Sequence, residues 1–176
     1  MTPTDDLPPA MMQKTDPHEI LATANAAAGR RYLGMGMLGV LGLLLIYIAV
    51  VQSPALEWRV FLVALGAAAL WMADKMRRAT ATRIELTETE LRDSDGTVIA
   101  LIADIDGMDR GFFAFKPSNG FLIRTRSGAP NEWRPGLWWR VGRRIGVGGM
   151  TPASQTKFMS EIIAAMMAQR DLKQDS

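Results

Sequence analysis

Two apolar runs, Leu33 to Val51 and Val60 to Met72, lie on either side of a short polar turn around Pro54, with arginines flanking the pair. The first is about 19 residues without a charge, close to the roughly 20 that a helix needs to cross a hydrocarbon core of about 30 Å. The second reaches that length when it starts near Ala55 and leaves Glu57, Trp58 and Arg59 at the interface. Segment 30–78 therefore reads as a transmembrane hairpin with spans at about 33–51 and 55–73. Small residues, Gly36, Gly39 and Gly42 in the first run and Ala64 and Ala68 in the second, suit close packing within that hairpin.

Retained loops carry the excess of Lys and Arg. Arg30 and Arg31 precede the first span, Lys75, Arg77, Arg78 and Arg83 follow the second, and the turn holds only Arg59 beside Glu57. Both termini are expected to be cytoplasmic, at a plasma membrane. A cleaved signal peptide would begin with a positive segment, whereas this chain opens with Asp5 and Asp6 and its apolar run starts late.

The 176 residues leave room for one soluble domain beside the hairpin, expected at 79–176. Cysteine is absent and the one histidine, His18, lies in the N-terminal tail. That excludes disulfides, thiolate nucleophiles, Ser-His-Asp constellations and multi-histidine metal sites. No catalytic residue, metal ligand or cofactor is assigned. Charge is distributed unevenly: Arg83 to Arg110 holds three arginines against eight acids, while Gly111 to Met150 holds seven cations against Glu132 alone.

Residues 1–15 have no hydrophobic period and read as a disordered tail within segment 1–29. Asp16, Pro17 and Glu19 form a helix-start pattern, so a short juxtamembrane helix is expected over Ile20 to Ala28. Beyond Arg78 the period becomes that of strands. Ile84 and Leu86 alternate with polar residues, Asp95-Gly96 and Asn119-Gly120 mark hairpin turns, and Phe112 to Phe115, Phe121 to Thr125, Leu137 to Val141 and Arg144 to Val147 read as further strands. After Gly148-Gly149, Thr151 and Pro152 start a helix over 152–170. Its apolar face is expected at Phe158, Met159, Ile162, Ile163 and Met166, opposite Lys157, Glu161 and Arg170.

The expected fold class is α+β: a two-helix transmembrane hairpin, then a small antiparallel β-barrel capped by a C-terminal amphipathic helix. That element order, with the stretches Gly136 to Arg140 and Arg144 to Gly149, resembles bacterial two-span membrane proteins with a pleckstrin-homology-like (PH-like) domain, over roughly Thr82 to Arg170. The resemblance implies a fold and an inner-membrane setting. Phosphoinositide binding does not carry over, because the first hairpin turn is Glu88-Thr89-Glu90 rather than basic, and the Trp-Gln-Gly segment of many bacterial relatives is missing.

Three motifs carry candidate chemistry. Gly34 to Gly39 matches GxGxxG, but that fingerprint needs a strand feeding a helix N-terminus, and these glycines lie inside an apolar span. Asp104, Asp106 and Asp109 are spaced wrongly for a calcium loop and read as solvent-facing acids of a strand. The arginine and tryptophan series is the candidate surface: Arg124, Arg126, Arg134, Trp138, Arg140, Arg143 and Arg144, accompanied by Trp133 and Trp139. Indoles and guanidinium groups suit an anionic lipid interface. Trp133 and Trp139 as core, with the arginines pairing with acids, is the open alternative; nucleic acid is not an expected partner. The expected function is binding at the lipid bilayer, to anionic headgroups or another membrane protein, rather than catalysis. The alternative is an accessory or assembly subunit of a larger inner-membrane complex held through the hairpin.

Overall fold

The computed structural model describes residues 19–52, 54–109 and 117–174. The first element among the described residues is a strand, β1 (Ala22–Asn25), where the sequence pattern predicts a helix. Alanine is the best helix former, but intrinsic propensity yields to tertiary context, and here strand pairing overrides it: β1 lies antiparallel to β2 (Arg83–Leu86), matching Ala22 with Leu86 and Asn25 with Arg83. The strands are separated by two helices, α1 (Ala28–Val51) and α2 (Leu56–Ala79). The soluble sheet therefore starts upstream of the hairpin and resumes after it.

Each helix has 24 residues, or about 36 Å of rise. Their most apolar windows have mean hydropathies of 2.4 and 1.5, and only 11% of each window is buried. A core helix of a soluble protein would be mostly covered, so these are helices long and apolar enough to span a membrane. They cross where Gly42 faces Gly66: a Cβ on either would lie 2.8 Å from the other's carbonyl oxygen. Ala49 and Ala69 are also buried, whereas a Cβ on Gly36 or Gly39 would meet nothing within 4 Å and Ala64 and Ala68 are exposed. Of the small residues singled out in the sequence, only Gly42 is in the crossing.

Beyond α2, Thr80 turns its hydroxyl back to the Met76 carbonyl (2.7 Å) and ends the helix. β2, β3 (Glu90–Asp93) and β4 (Val98–Leu101) continue the first sheet, in order β1-β2-β3-β4. The Asp95-Gly96 turn forms as expected, with Gly96 at φ +90°. A 3-10 turn at Ile102–Asp104 carries the chain to the second sheet. This comprises β5 (Ile105–Asp109), β6 (Phe121–Thr125), β7 (Glu132–Arg134), β8 (Trp138–Val141) and β9 (Arg144–Val147), in order β5-β6-β9-β8-β7. The strand expected at Phe112 to Phe115 lies outside the described residues.

The expected closed barrel is not formed: the strands divide into two open antiparallel sheets. Side chains take the place of a ladder at two corners. Arg140 donates to the carbonyls of Val98 (3.3 Å) and Ile99 (3.2 Å) in β4, and Arg170 donates to those of Ala103 (3.3 Å) and Ile105 (2.8 Å). A buried carbonyl without a donor is costly, and each guanidinium meets several at once.

Helix α3 (Ala153–Gln174) covers the opening, lying against β1, β6 and the 3-10 turn. Met159 and Ile163 are fully buried with Ile84, Leu86, Leu91, Ile105, Phe121 and Ile145. Two face assignments change. Phe158 is 56% exposed, and Arg170 lies on the inward side, because the buried stripe follows Thr156, Met159, Ser160 and Ile163. Junction contacts join hairpin and domain: Ala27 N–H donates to the Met150 carbonyl (2.9 Å), and the Met150 side chain packs over the space a Gly34 Cβ would occupy.

Glu85 is a buried acid in β2, 5% exposed, held by Arg83 (2.9 Å) and Arg92 (3.2 Å). Burial raises its pKa, but the hydrogen bonds from the two arginines outweigh this and hold it below its ordinary 4.5. The stability from this depressed carboxylate is present above the ordinary value and is lost as pH falls through the folded one. Glu85→Gln should cost about 1–3 kcal/mol at neutral pH. In chemical denaturation of the detergent-solubilised chain, the gap between wild type and variant should close as the solution is taken below pH 4.5.

Candidate functional site: the outer face of the second sheet

Alternation along the strands decides which side chains share a face. In β6, Phe121, Ile123 and Thr125 are buried, leaving Leu122 and Arg124 outside; in β9, Arg144 is outside and Ile145 inside. Register then builds two rows across the outer face. One runs Leu122, Gly146, Trp139, Trp133; the next runs Gly107, Arg124, Arg144, Val141. An aromatic row thus lies beside a row with two cations.

The seven candidate residues are not brought together. Trp138 is 1% exposed and belongs to the core, where its indole N–H donates to Asp93 (3.2 Å). This overturns its placement on a surface: in β8, residues 138 and 139 point to opposite faces, and Trp139 is the outward one. Arg134 and Arg140 point inward at the sheet edge. Arg134 bridges Glu132 (3.0 Å) and Asp95 (2.9 Å), while Arg140 reaches Glu132 (3.6 Å), the Pro130 carbonyl (2.8 Å) and β4. Burial raises the Asp95 pKa, but hydrogen bonds from Thr97 and the charge of Arg134 together hold it below the usual carboxylate value. These arginines therefore tie the two sheets together. Arg143 occupies the β8–β9 turn and donates to the Thr125 carbonyl (2.8 Å), and Arg126 is exposed beyond β6.

Arg124 and Arg144 remain on the outer face. Arg124 pairs with Asp106 (3.3 Å), whereas the Arg144 side chain has no ion pair or hydrogen bond among the described residues. Of the acids weighed as calcium ligands, Asp104 accepts from the Ser127 amide (3.1 Å) and Asp106 from Arg124.

Trp139 and Trp133, which accompany the candidate series in sequence, complete the face together with Lys75 and Trp71, which do not. Trp139 lies flat over Gly146, and a Cβ there would come within 2.4 Å of the indole. Lys75, from α2, places its ammonium 5.1 Å from the Trp71 ring centre and 4.8 Å from that of Trp133. Trp71 and Lys75 are one helical turn apart, where the apolar run of α2 gives way to charge. A groove of about 730 Å³ opens between Lys75, Trp133, Trp139, Arg140, Val141 and Arg144. A smaller depression of about 470 Å³, next to Leu122 and Arg124, shares Trp139 and Arg144 with it. Trp139 was legible from the period of two once Trp138 is placed inside; Lys75 had no local signal, being far from β7 in sequence.

The groove offers two indole faces, an ammonium held between aromatic rings and a guanidinium with no acid partner among the described residues. Its carboxylate, Glu132, is taken up by Arg134 and Arg140. That combination suits an anionic group carrying an apolar or glycerol-like body. No protein-family model, curated protein or solved structure matches this chain.

Gly146→Ala should push Trp139 off the sheet at an overpacking cost of about 1–3 kcal/mol. The expected result is a changed near-ultraviolet circular dichroism and a red-shifted tryptophan emission with far-ultraviolet ellipticity retained.

Proposed function

We propose that this chain is a two-span protein of a bacterial inner membrane, with both termini cytoplasmic, whose PH-like domain binds at the membrane surface rather than catalysing a reaction. The observation that carries this reading is the Trp71–Lys75–Trp133 stack. It joins the outer sheet face to the end of an apolar helix, the level at which indoles and cationic side chains meet lipid headgroups. Pairing of β1 with β2 returns the chain to the side from which it left. Arg30, Arg31, Lys75, Arg77 and Arg78 all stand at that end of the hairpin, against Arg59 and Glu57 at the other. The cation excess and the domain thus share one side, the inner one by the positive-inside rule.

Docking at a surface already within reach needs little intrinsic affinity, because tethering raises the effective concentration. The chain lacks cysteine, so a nitroxide can be placed on Val141→Cys alone; Val141 is 59% exposed. In phosphatidylcholine vesicles containing phosphatidylglycerol, this label should be relaxed by nickel chelated to lipid headgroups, and less so as salt rises. A label relaxed only by nickel in free solution, at every salt concentration, overturns the reading.

A second reading, an accessory subunit bound through the hairpin, is favoured by one feature. Tyr32, Leu33, Gly36, Met37, Val40 and Leu44 line an exposed apolar depression of about 520 Å³ on α1. A stoichiometric membrane partner retained in mild detergent, and lost on Gly36→Leu, would support it; a Cβ at Gly36 would point into open space, away from the other described residues.

A further inference from the structure

The geometry points to a single-lipid site: the groove between α2 and the β7–β8–β9 edge holds the phosphodiester headgroup of one anionic phospholipid from the leaflet on the domain's side of the membrane. This inference rests on the proposed membrane setting and adds a defined ligand to it.

Three observations converge on that occupant. First, position: Lys75 belongs to the hairpin and Trp133, Trp139 and Arg144 to the domain, so the groove straddles the junction and opens where the apolar part of α2 ends. A headgroup reaches it without its acyl chains leaving the hydrocarbon. Second, charge: four charged side chains line the groove besides Asn131 and the aromatics, and Glu132 and Arg140 are engaged with each other at 3.6 Å and with Arg134 or backbone carbonyls. Lys75 and Arg144 are left with no acid partner among the described residues, two positive charges facing one cavity. A phosphodiester brings the complementary charge, and Arg144 can meet two of its oxygens at once. Third, shape and surface: about 730 Å³ accommodates a headgroup and its glycerol. The indoles of Trp133 and Trp139 present apolar faces to the glycerol and a polar edge to the phosphate. Net anionic lipid is favoured over phosphatidylcholine, whose quaternary ammonium would stand among Lys75 and Arg144.

The test uses the full chain in a neutral maltoside detergent and native mass spectrometry, titrating phosphatidylglycerol, phosphatidylcholine, or water-soluble glycerophosphoglycerol and inorganic phosphate. Wild-type chain should retain one phosphatidylglycerol in preference to phosphatidylcholine, and neither soluble anion should displace it at equal concentration. Retention should fall about tenfold, the equivalent of one lost charge-assisted contact of about 1.4 kcal/mol, in Arg144→Gln and in Lys75→Gln. Arg126→Gln, an exposed cation outside the groove, should leave it unchanged. The Arg144 side chain makes no hydrogen bond or ion pair among the described residues, so its variant reads the site even if Lys75→Gln loosens the hairpin. Equal retention of the two lipids, undiminished retention in Arg144→Gln, or displacement by inorganic phosphate overturns the site. The Val141→Cys label read beside it then tells whether surface docking survives without a specific lipid.

Discussion

The pairing of β1 with β2 across the inserted hairpin organises the molecule. Ala22 and Ala24 point into the core and are nearly or fully buried, and their small side chains let α3 lie close over the first sheet. The Asn25 amide also donates to the Gln155 side chain of α3 (2.9 Å), so the upstream strand is fastened on two sides. Closing a loop of more than fifty residues would ordinarily carry a large entropic cost. Here the intervening chain is two antiparallel helices in contact, which bring their own ends together. The Gly42–Gly66 crossing makes that contact close. The separation between helix ends can then match that between neighbouring strands, which is about 4.8 Å, more nearly than helices crossing through large side chains could.

Guanidinium groups add to the strand ladders in holding the β domain together. Two open sheets leave edge carbonyls that a closed barrel would have paired. Arg140 meets those of β4 and Arg170 those around the 3-10 turn. Asp93, buried under Trp138, and the Asp95–Arg134 pair add a polar seam between the sheets. Among the described residues, the Asp95–Arg134 and Asp106–Arg124 pairs link the acidic first half of the domain sequence to its basic second half, while Glu85 is paired within the first half and Glu132 within the second.

What is left after this internal pairing marks out the candidate face. Of the cations in the second half, Arg134, Arg140 and Arg143 are engaged by protein acceptors, and Arg124 has Asp106. Among the described residues Arg144, beside Trp139, has no acid partner, and Lys75 is held between two indoles rather than by an acid. A cation on an aromatic face keeps its charge available to a third partner, unlike one in a salt bridge. That difference separates the groove from the rest of the basic surface.

The hairpin was legible from the sequence because nineteen uncharged residues leave few alternatives in any solvent, and β2, β8, β9 and α3 were legible because their apolar periods are local. The Asp95-Gly96 turn followed from the positive φ that glycine permits. The sequence by itself thus determined the apolar helices, most strands and the segregation of charge. Only the tertiary structure decided that Ala22–Asn25 is a strand, that Trp138 is core and Trp139 surface, that Arg140 and Arg170 seal the sheets, and that Lys75 joins Trp133. These outcomes depend on partners distant along the chain. A period of two or of 3.6 reports which residues share a face, but it does not name what that face will meet.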